Sequence, residues 1–324
     1  MVKIFKRREF TLLLILVVLL AVVSLRTPSF LALNNLNDIL NDTAILIIVS
    51  IGQMMVIVTG GADLSVASGI ALTGMSVALL NWHYPAIPMP VILLISLALG
   101  FILGSFNGLL VAVADIPPII TTLGTMGIYR GLVFLLSGGQ WVSAHKMTAS
   151  FRDLPHGAPL GITNLVVSAV IVVIVFAVIL GLTRTGREIY GAGGNRTAAR
   201  FVGVNLRKIS YLVYMFSGLL VGLSGLLWVA RYASAQNETA SGFELQTIAA
   251  CVIGGVSILG GTGTILGVVL GSLFMGIVNN ALTVVNLSPF YQMAIQGFVI
   301  LAAIIANRLV ERRNQANMLR TRNL

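Results

Sequence analysis

Cysteine, histidine and carboxylate residues are all scarce in this chain. Its 324 residues include one cysteine, Cys251, three histidines and only ten aspartates and glutamates. A single cysteine excludes an intramolecular disulfide and a thiolate metal cluster, and the histidines lack the spacing of metal ligands. No acid, base and nucleophile are grouped together. The sequence therefore predicts no catalytic residue, no metal site, no cofactor and no enzyme activity.

Charge is equally scarce, because 9% of the residues are charged while 57% are hydrophobic. Soluble domains carry about 25% charged residues, so this composition is typical of a membrane protein. The net charge of +10 could indicate a nucleic-acid partner, but the basic residues are clustered. Four precede the first apolar run, six lie in residues 183–208 and five follow Asn307. Such clusters are typical of cytoplasmic segments near anionic lipid, so we expect a lipid membrane and no nucleic acid.

Ten apolar stretches are candidates for membrane-spanning helices, which need roughly 17 to 25 mostly apolar residues each. Several of them are short, so a few could be broken or tilted helices. The candidates are Phe10 to Leu25, Thr43 to Thr59, Val66 to Leu80, Val91 to Val113, Ile119 to Leu136, Leu165 to Leu182, Ile209 to Ala230, Glu244 to Leu259, Ile265 to Val285 and Phe290 to Ala306.

Ten spans place both termini and residues 183–208 on one side, and their basic residues assign that side to the cytoplasm. The predicted fold class is an all-α polytopic membrane protein with about ten transmembrane helices. The N-terminus is similar to a signal peptide but lacks a cleavage site, so we interpret it as an uncleaved first span. We expect a single transmembrane domain over residues 1–324. It comprises six spans in 10–182, a cytoplasmic loop in 183–208, four spans in 209–306 and a basic tail in 307–324.

Glycines recur four residues apart within the apolar stretches. At this spacing two glycines lie on one face of a helix, where they let another backbone approach closely. The sequence therefore predicts tight helix packing at these positions. The pairs are Gly100 and Gly104, Gly218 and Gly222, Gly263 and Gly267, and Gly267 and Gly271.

One glycine-rich stretch, GGVSILGGTGTILG, superficially resembles a phosphate-binding loop. A P-loop needs a lysine and a serine or threonine directly after its last glycine. No such lysine follows Gly263, and the chain contains no Walker sequence. If ATP drives this protein, another subunit must bind it.

Polar residues within the apolar stretches are candidates for a solute path, because such residues are costly in hydrocarbon. They are mostly neutral, which favours an uncharged polar solute such as a sugar over ion-coupled transport. Each could equally form hydrogen bonds between helices, and Arg130 must pair, face water or extend outward. The candidates are Asn107, Thr121, Thr125, Arg130, Asn279, Asn280, Gln292 and Gln296.

The basic loop contains the run from Gly194 to Val204, GNRTAARFVGV. This run resembles the cytoplasmic motif of permease subunits in bacterial ATP-binding-cassette (ABC) sugar importers of the ribose, xylose, rhamnose and autoinducer-2 class. Three further stretches show the same resemblance, and the similarity extends from Asn34 to about Leu309. They are Gly60 to Gly69, Ile116 to Thr125 with Arg130 and Gly131, and Ile248 to Gly255.

The resemblance implies a non-catalytic permease subunit of the bacterial inner membrane that imports a neutral sugar or sugar-like solute. The solute would be a pentose, a deoxyhexose such as rhamnose, or autoinducer-2. The implied partners are a cytoplasmic ABC ATPase that binds the ATP, a periplasmic solute-binding protein, and a second permease copy or sister permease.

The resemblance also assigns a role to the basic loop. A short helix from about Asn195 to Val202 would present Ala198 and Ala199 to the ATPase as a small-residue knob. The arginines Arg196 and Arg200 would lie on one face of it. The implied coupling residues are Gly194, Asn195, Arg196, Ala198, Ala199, Arg200 and Gly203.

The alternative is a secondary carrier or facilitator for a small polar solute that works without an ATPase. Such a protein would also have ten spans and neutral polar residues. Dependence on an ATPase in trans distinguishes the two hypotheses.

Overall fold

The protein is described by a computed structural model that covers residues 7–158, 161–285, 287–288, 291–292, 294–295, 297–298, 301–302 and 305. Its one sheet within these ranges pairs β1 (Val142–Ser143) with β2 (Ser234–Ala235) in antiparallel fashion. The helices are α1 (Arg7–Arg26), α2 (Leu33–Val58), α3 (Val66–His83), α4 (Met89–Ala112), α5 (Pro118–Ser137), α6 (Ala149–Asp153), α7 (Asn164–Leu182), α8 (Arg184–Gly194), α9 (Arg196–Phe201), α10 (Leu206–Tyr232), α11 (Phe243–Ile253) and α12 (Ile265–Val284). Short 3-10 helices cover Pro28–Leu31 and Ala144–Lys146.

Helix α2 is the centre of the bundle. Every residue from Thr43 to Val58 is buried, and the helix packs against α10, α12, α7 and α11. Its sequence there is almost uniformly apolar. A helix that is hydrophobic on all sides has to be surrounded by other helices, which explains its central position.

Helices α4 and α10 pack with their backbones in contact. A Cβ atom added to Gly100 would lie 2.2 Å from the carbonyl oxygen of Gly218, and one added to Gly104 would lie 2.7 Å from the Cα of Gly218. No side chain fits at these distances. The predicted close packing at the glycine pairs is therefore confirmed for this contact.

The membrane-spanning class is confirmed, whereas the number of spans stays a prediction. Seven described helices are long and apolar enough to cross a membrane, namely α1, α2, α4, α5, α7, α10 and α12. The predicted span Val66 to Leu80 corresponds to the 18 residues of α3. The last predicted span, residues 290–306, lies partly outside the described residues. The orientation of the termini is likewise still a prediction.

The candidate span from Glu244 to Leu259 is a broken helix, one of the two forms expected for a few of the short stretches. Helix α11 has 11 residues, which is about 16 Å at 1.5 Å per residue and about half of the hydrocarbon thickness. The chain turns at Gly255, whose φ is +92°, a left-handed conformation that favours glycine. It then returns through residues 256–264 to α12, where a Cβ atom on Gly267 would lie 2.1 Å from the carbonyl oxygen of Gly254.

The two ends of the bundle differ. We call the end that carries α8, α9 and the loops 59–65, 113–117 and 254–264 the basic end. The opposite end carries β1, β2, α6 and the loop 236–242, and we call it the sheet end. There the amide of Thr148 donates to Oδ1 of Asn81 at 2.9 Å, and Nδ2 of Asn81 donates to Oγ1 of Thr148 at 3.0 Å. These bonds fix the loop between α5 and α7 to the end of α3.

We expect Gly218→Ala to destabilise the bundle strongly. The new Cβ atom would lie 2.3 Å from the carbonyl oxygen of Gly100, and overpacking of this kind costs about 1–3 kcal/mol or more. Thermal unfolding of the purified protein in detergent measures the effect. Gly181→Ala is the matched control, since a Cβ atom there meets nothing within 4 Å. Equal unfolding temperatures for the two variants would contradict the described contact between α4 and α10.

Candidate functional site

Helix α8 is attached to the end of the central helix. A Cβ atom on Gly193 would lie 1.6 Å from the carbonyl oxygen of Val58, the last residue of α2. The backbone amide of Gly261 donates to the same oxygen at 2.8 Å. The end of α8, the end of α2 and the turn before α12 therefore meet at one carbonyl group. Only a residue without a side chain fits at Gly193.

A tyrosine reinforces this junction. The hydroxyl of Tyr190 in α8 donates to the carbonyl oxygen of Gly263 at 3.0 Å. Burial raises the pKa of Tyr190 above its ordinary value, because the ionised form would lose its hydration. The hydroxyl thus stays a donor at neutral pH and joins α8 to the start of α12.

Helix α9 confirms the short helix predicted from about Asn195 to Val202. The side chain of Asn195 accepts a hydrogen bond from the amide of Ala198 at 2.9 Å, which is the usual way of capping a helix N-terminus. The helix ends at Gly203, whose φ is +85°. The amide of Val204 then donates to the carbonyl of Ala199 at 3.0 Å, a common C-terminal cap.

The two predicted knob residues face different ways. Ala198 is exposed, whereas Ala199 is only 5% exposed. The prediction of a two-alanine knob is wrong for Ala199, because one face of α9 packs back against α10. Sequence reasoning missed the residues that form the apolar tip, Phe201 and Val202, which are 86% and 80% exposed. Two adjacent apolar residues in a basic loop were the available signal.

A cleft of about 470 Å³ lies beside α9, between the start of α10 and the end of α4. Three arginines line it, Arg196, Arg200 and Arg207, with a single acid, Asp115. The prediction that Arg196 and Arg200 share one face agrees with this arrangement. Positive charge is therefore concentrated next to the apolar tip, which favours an acidic surface as the complement.

The remaining coupling residues have structural roles in the loop. A Cβ atom added to Gly194 would lie 3.9 Å from the Cα of Gly261, and Asn195 and Gly203 flank α9 in its N- and C-terminal caps. The structure therefore brings all seven predicted coupling residues together at the basic end.

Asn107 belongs to a buried hydrogen-bond network near the basic end. Its Nδ2 donates to Oγ of Ser65 at 2.8 Å, and that hydroxyl donates to Oδ1 of Asp63 at 2.6 Å. The hydroxyl of Tyr129 donates to Oδ1 of Asn107 at 3.3 Å and to the carbonyl of Leu103 at 2.8 Å. The network links α3, α4 and α5. Sequence reasoning singled out Asn107 and missed its partners.

Thr121 and Thr125 lie on α5, the helix that also carries Tyr129 of this network. Oγ1 of Thr121 is buried without a hydrogen-bond partner among the described residues, and Thr125 has one long bond of 3.4 Å to the carbonyl of Thr122. The cavity beside Asn107 measures about 10 Å³, enough for at most one water molecule. A solute path past these residues requires the helices to move apart, so this part of the path stays a prediction.

Arg130 is paired, which is one of the three outcomes expected for it. Its Nη1 donates to the carbonyl oxygens of Asn237 and Thr239 at 2.7 and 3.0 Å. Asn237 in turn accepts from Oγ of Ser137 at 2.8 Å and donates to the carbonyl of Gly139 at 3.0 Å. Arg130 therefore holds the loop after β2 against α5 at the sheet end.

Asn279 and Asn280 lie apart from the other candidates, on α12 at the sheet end. They line a cavity of about 270 Å³ between α2, α10, α11 and α12. Nδ2 of Asn279 donates to Oε1 of Gln246 at 3.3 Å. Nε2 of Gln292 donates to the carbonyl of Leu287 at 2.8 Å, while Gln296 lies outside the described residues. The candidates for the path thus fall into three separate groups.

The chain matches the family described as branched-chain amino acid transport system / permease component over residues 35–304. It belongs to this permease family. The permease is accordingly a multi-pass protein of the inner membrane, in agreement with its long apolar helices. No solved structure matches it.

Curated relatives of the permease are import proteins of similar length. It is 38% identical to the ribose import permease protein RbsC of Escherichia coli (strain K12) over 298 residues, 91% of this chain and 92% of that one. It is 38% identical to RbsC of Haemophilus influenzae over 299 residues, 90% of each chain. It is 35% identical to the autoinducer 2 import system permease protein LsrC of Enterobacter sp. (strain 638) over 301 residues, 93% of this chain and 86% of that one. The resemblance predicted from the motifs is confirmed.

We expect Arg130→Met to lower the thermal stability of the permease. The carbonyls of Asn237 and Thr239 would lose a charged donor, and such hydrogen bonds are worth about 1.5–3 kcal/mol. Arg26→Met is the control, because Arg26 is an exposed helix-terminal arginine. Unfolding in detergent, followed by size-exclusion chromatography after heating, measures both variants. An unfolding temperature of Arg130→Met equal to that of the control would rule out the anchoring role.

Proposed function

We propose that the permease is the membrane subunit of an ATP-driven importer for a neutral sugar or sugar-like solute. An ABC ATPase in the cytoplasm hydrolyses the ATP, a periplasmic binding protein delivers the solute, and two permease chains, identical or sister, form the path. The pentose, deoxyhexose and autoinducer-2 classes are the candidate solutes. The names of the curated relatives support this assignment, since they specify ribose import and autoinducer 2 import.

The observation that carries the proposal is the exposed tip of α9. Ala198, Phe201 and Val202 form an apolar surface beside a basic cleft. Single exposed apolar side chains are ordinary, but a group of them in a basic loop suits a protein partner. An amphipathic short helix laid into a groove is a common recognition mode. The ATPase is the partner that this surface fits.

The contacts of α8 support mechanical coupling to the bundle. Helix α8 joins α9 to the end of α2 and to the turn before α12 through Val58, Gly193 and Gly261. These are backbone contacts without flexible side chains between them. A displacement of α9 by the ATPase is therefore passed to the central helix without loss in an intervening loop.

An ATPase-independent carrier is the competing hypothesis, and energy dependence separates the two. Cells that overproduce the permease system should lose uptake of radiolabelled ribose, rhamnose or autoinducer 2 when arsenate depletes ATP. They should retain it when a protonophore collapses the proton gradient. Uptake that survives ATP depletion would establish the carrier hypothesis instead.

We expect Ala198→Glu to abolish coupling without unfolding the bundle. The new carboxylate would be desolvated in the ATPase contact, which is costly for an unpaired charge. Recovery of the co-expressed ATPase in a mild-detergent pull-down should fall at least tenfold, and ATP-dependent uptake should fall with it. The unfolding temperature of the permease alone should not change, because Ala198 is exposed.

The matched control is Ala86→Glu, the same substitution at an exposed alanine of the sheet end. It should leave recovery of the ATPase unchanged. If Ala198→Glu also retained the ATPase at the wild-type level, α9 would not be the docking element.

A further inference from the structure

The cavity at the sheet end lies within a single permease chain. It is enclosed by the first half of α2, the end of α10, the start of α11 and the second half of α12. Its volume of about 270 Å³ is just below the range of roughly 300–1,000 Å³ that is typical of sites for drug-sized ligands. The space therefore suits a smaller molecule.

Three polar side chains that line this cavity carry oxygen atoms without a described hydrogen-bond partner. Oγ1 of Thr43 and the Oδ1 atoms of Asn279 and Asn280 are buried and have no partner among the described residues. Thr43 is only 1% exposed. Leaving a buried polar atom unpaired is costly, and native proteins rarely leave several in one place. If these side chains rotate toward the cavity, a bound polar molecule supplies the missing partners.

Aromatic rings form one wall of the same cavity. Trp228 packs edge-on against Phe243 with ring centroids 4.9 Å apart, and it lies 5.4 Å from Tyr232. Tryptophan and tyrosine combine a large apolar face with a polar group. Such a wall opposite amide and hydroxyl groups complements a molecule with C–H faces and several hydroxyls.

Charge in the cavity lining is confined to one carboxylate, that of Asp42. Asp42 is the charged residue that lines it, and its Oδ1 lies 3.3 Å from Nη2 of Arg231 and 3.4 Å from the hydroxyl of Tyr232. Arg231 also pairs with Asp38 at 3.2 Å. The carboxylate is thus engaged by neighbouring groups. The other polar groups in the lining are neutral, so an anionic solute finds no counter-charge there.

We propose that this cavity is a solute-binding site inside one permease chain, for a neutral polyhydroxylated molecule of monosaccharide size. The inference rests on the proposed function, and it adds the location of a site and the groups that recognise the solute. Asn279, Asn280 and Thr43 bond the hydroxyls, and Trp228 covers the apolar face of the ring. The site lies at the end of the bundle opposite α9. An importer docked on its ATPase at the basic end would therefore receive the solute at this site first.

Binding can be measured on the full chain in lipid nanodiscs. Trp82→Phe with Trp141→Phe leaves Trp228 as the single tryptophan, so its fluorescence reports on the cavity. D-Ribose, D-xylose and L-rhamnose are titrated to millimolar concentrations, with L-leucine as a zwitterion of similar size. We expect at least one sugar to change the fluorescence in a saturable manner and leucine to have no effect. No response to any sugar, or a response to leucine alone, would overturn the proposal.

Two substitutions test the recognition groups in this background. Thr43→Val and Asn280→Leu should each weaken sugar binding at least tenfold. Thr43→Val removes a hydroxyl without a described partner, so the unfolding temperature should stay constant or rise. The matched control is Ser272→Ala on α12, whose hydroxyl is also buried and unpartnered but lies outside the cavity lining. Unchanged affinity in both Thr43→Val and Asn280→Leu would exclude these side chains as ligands of the sugar.

Transport assays separate failure of the site from failure of the importer assignment. If both variants take up sugar with unchanged KM and still depend on ATP, the site is wrong and the importer proposal stands. If a sugar changes the fluorescence of Trp228 in the single-tryptophan permease but uptake survives ATP depletion, the site stands and the importer proposal fails.

Discussion

The carbonyl group of Val58 is the contact on which the arrangement of the basic end depends. It ends the most deeply buried helix of the protein, accepts the amide of Gly261 at 2.8 Å and lies directly against Gly193. A carbonyl at the end of a helix needs a partner from outside the helix. Here that requirement brings α8 and the turn before α12 to the same point. The position of α9 follows, because only Asn195 separates it from α8.

Buried polar side chains in the bundle differ in whether their hydrogen-bonding atoms have partners. This difference distinguishes side chains with a structural role from candidates for solute binding. Arg130 donates to two carbonyl groups, and both the oxygen and the nitrogen of the Asn107 amide have hydroxyl partners. Their burial is compensated, so packing explains them. Thr43, Asn279 and Asn280 keep unpaired oxygens beside a cavity. Because hydrocarbon offers no replacement partner, these are the positions where an exchangeable molecule contributes most.

Much of the fold could be predicted from the sequence, since apolar length and glycine spacing are local properties. The spans over α2, α4 and α10 and the close packing at Gly100 and Gly218 follow from such patterns, whereas the short helix α9 follows from the family resemblance. The break of α11 at Ile253 did not, because its continuation is apolar and only the turn at Gly255 ends the helix. The sequence also could not predict which of the polar candidates have hydrogen-bond partners and which do not. Whether Asn107 or Asn280 finds a partner depends on residues far away in the chain, which no local pattern encodes.

The central position of α2 has a consequence for how the two ends communicate. Thr43 lines the cavity at one end, and Val58 holds α8 at the other. Fifteen residues of uninterrupted helix separate them, about 22 Å at 1.5 Å per residue. In the proposed importer, the solute at the cavity and the ATPase at α9 therefore act on opposite ends of one helix. Linkage then requires that each change the affinity of the other by the same factor.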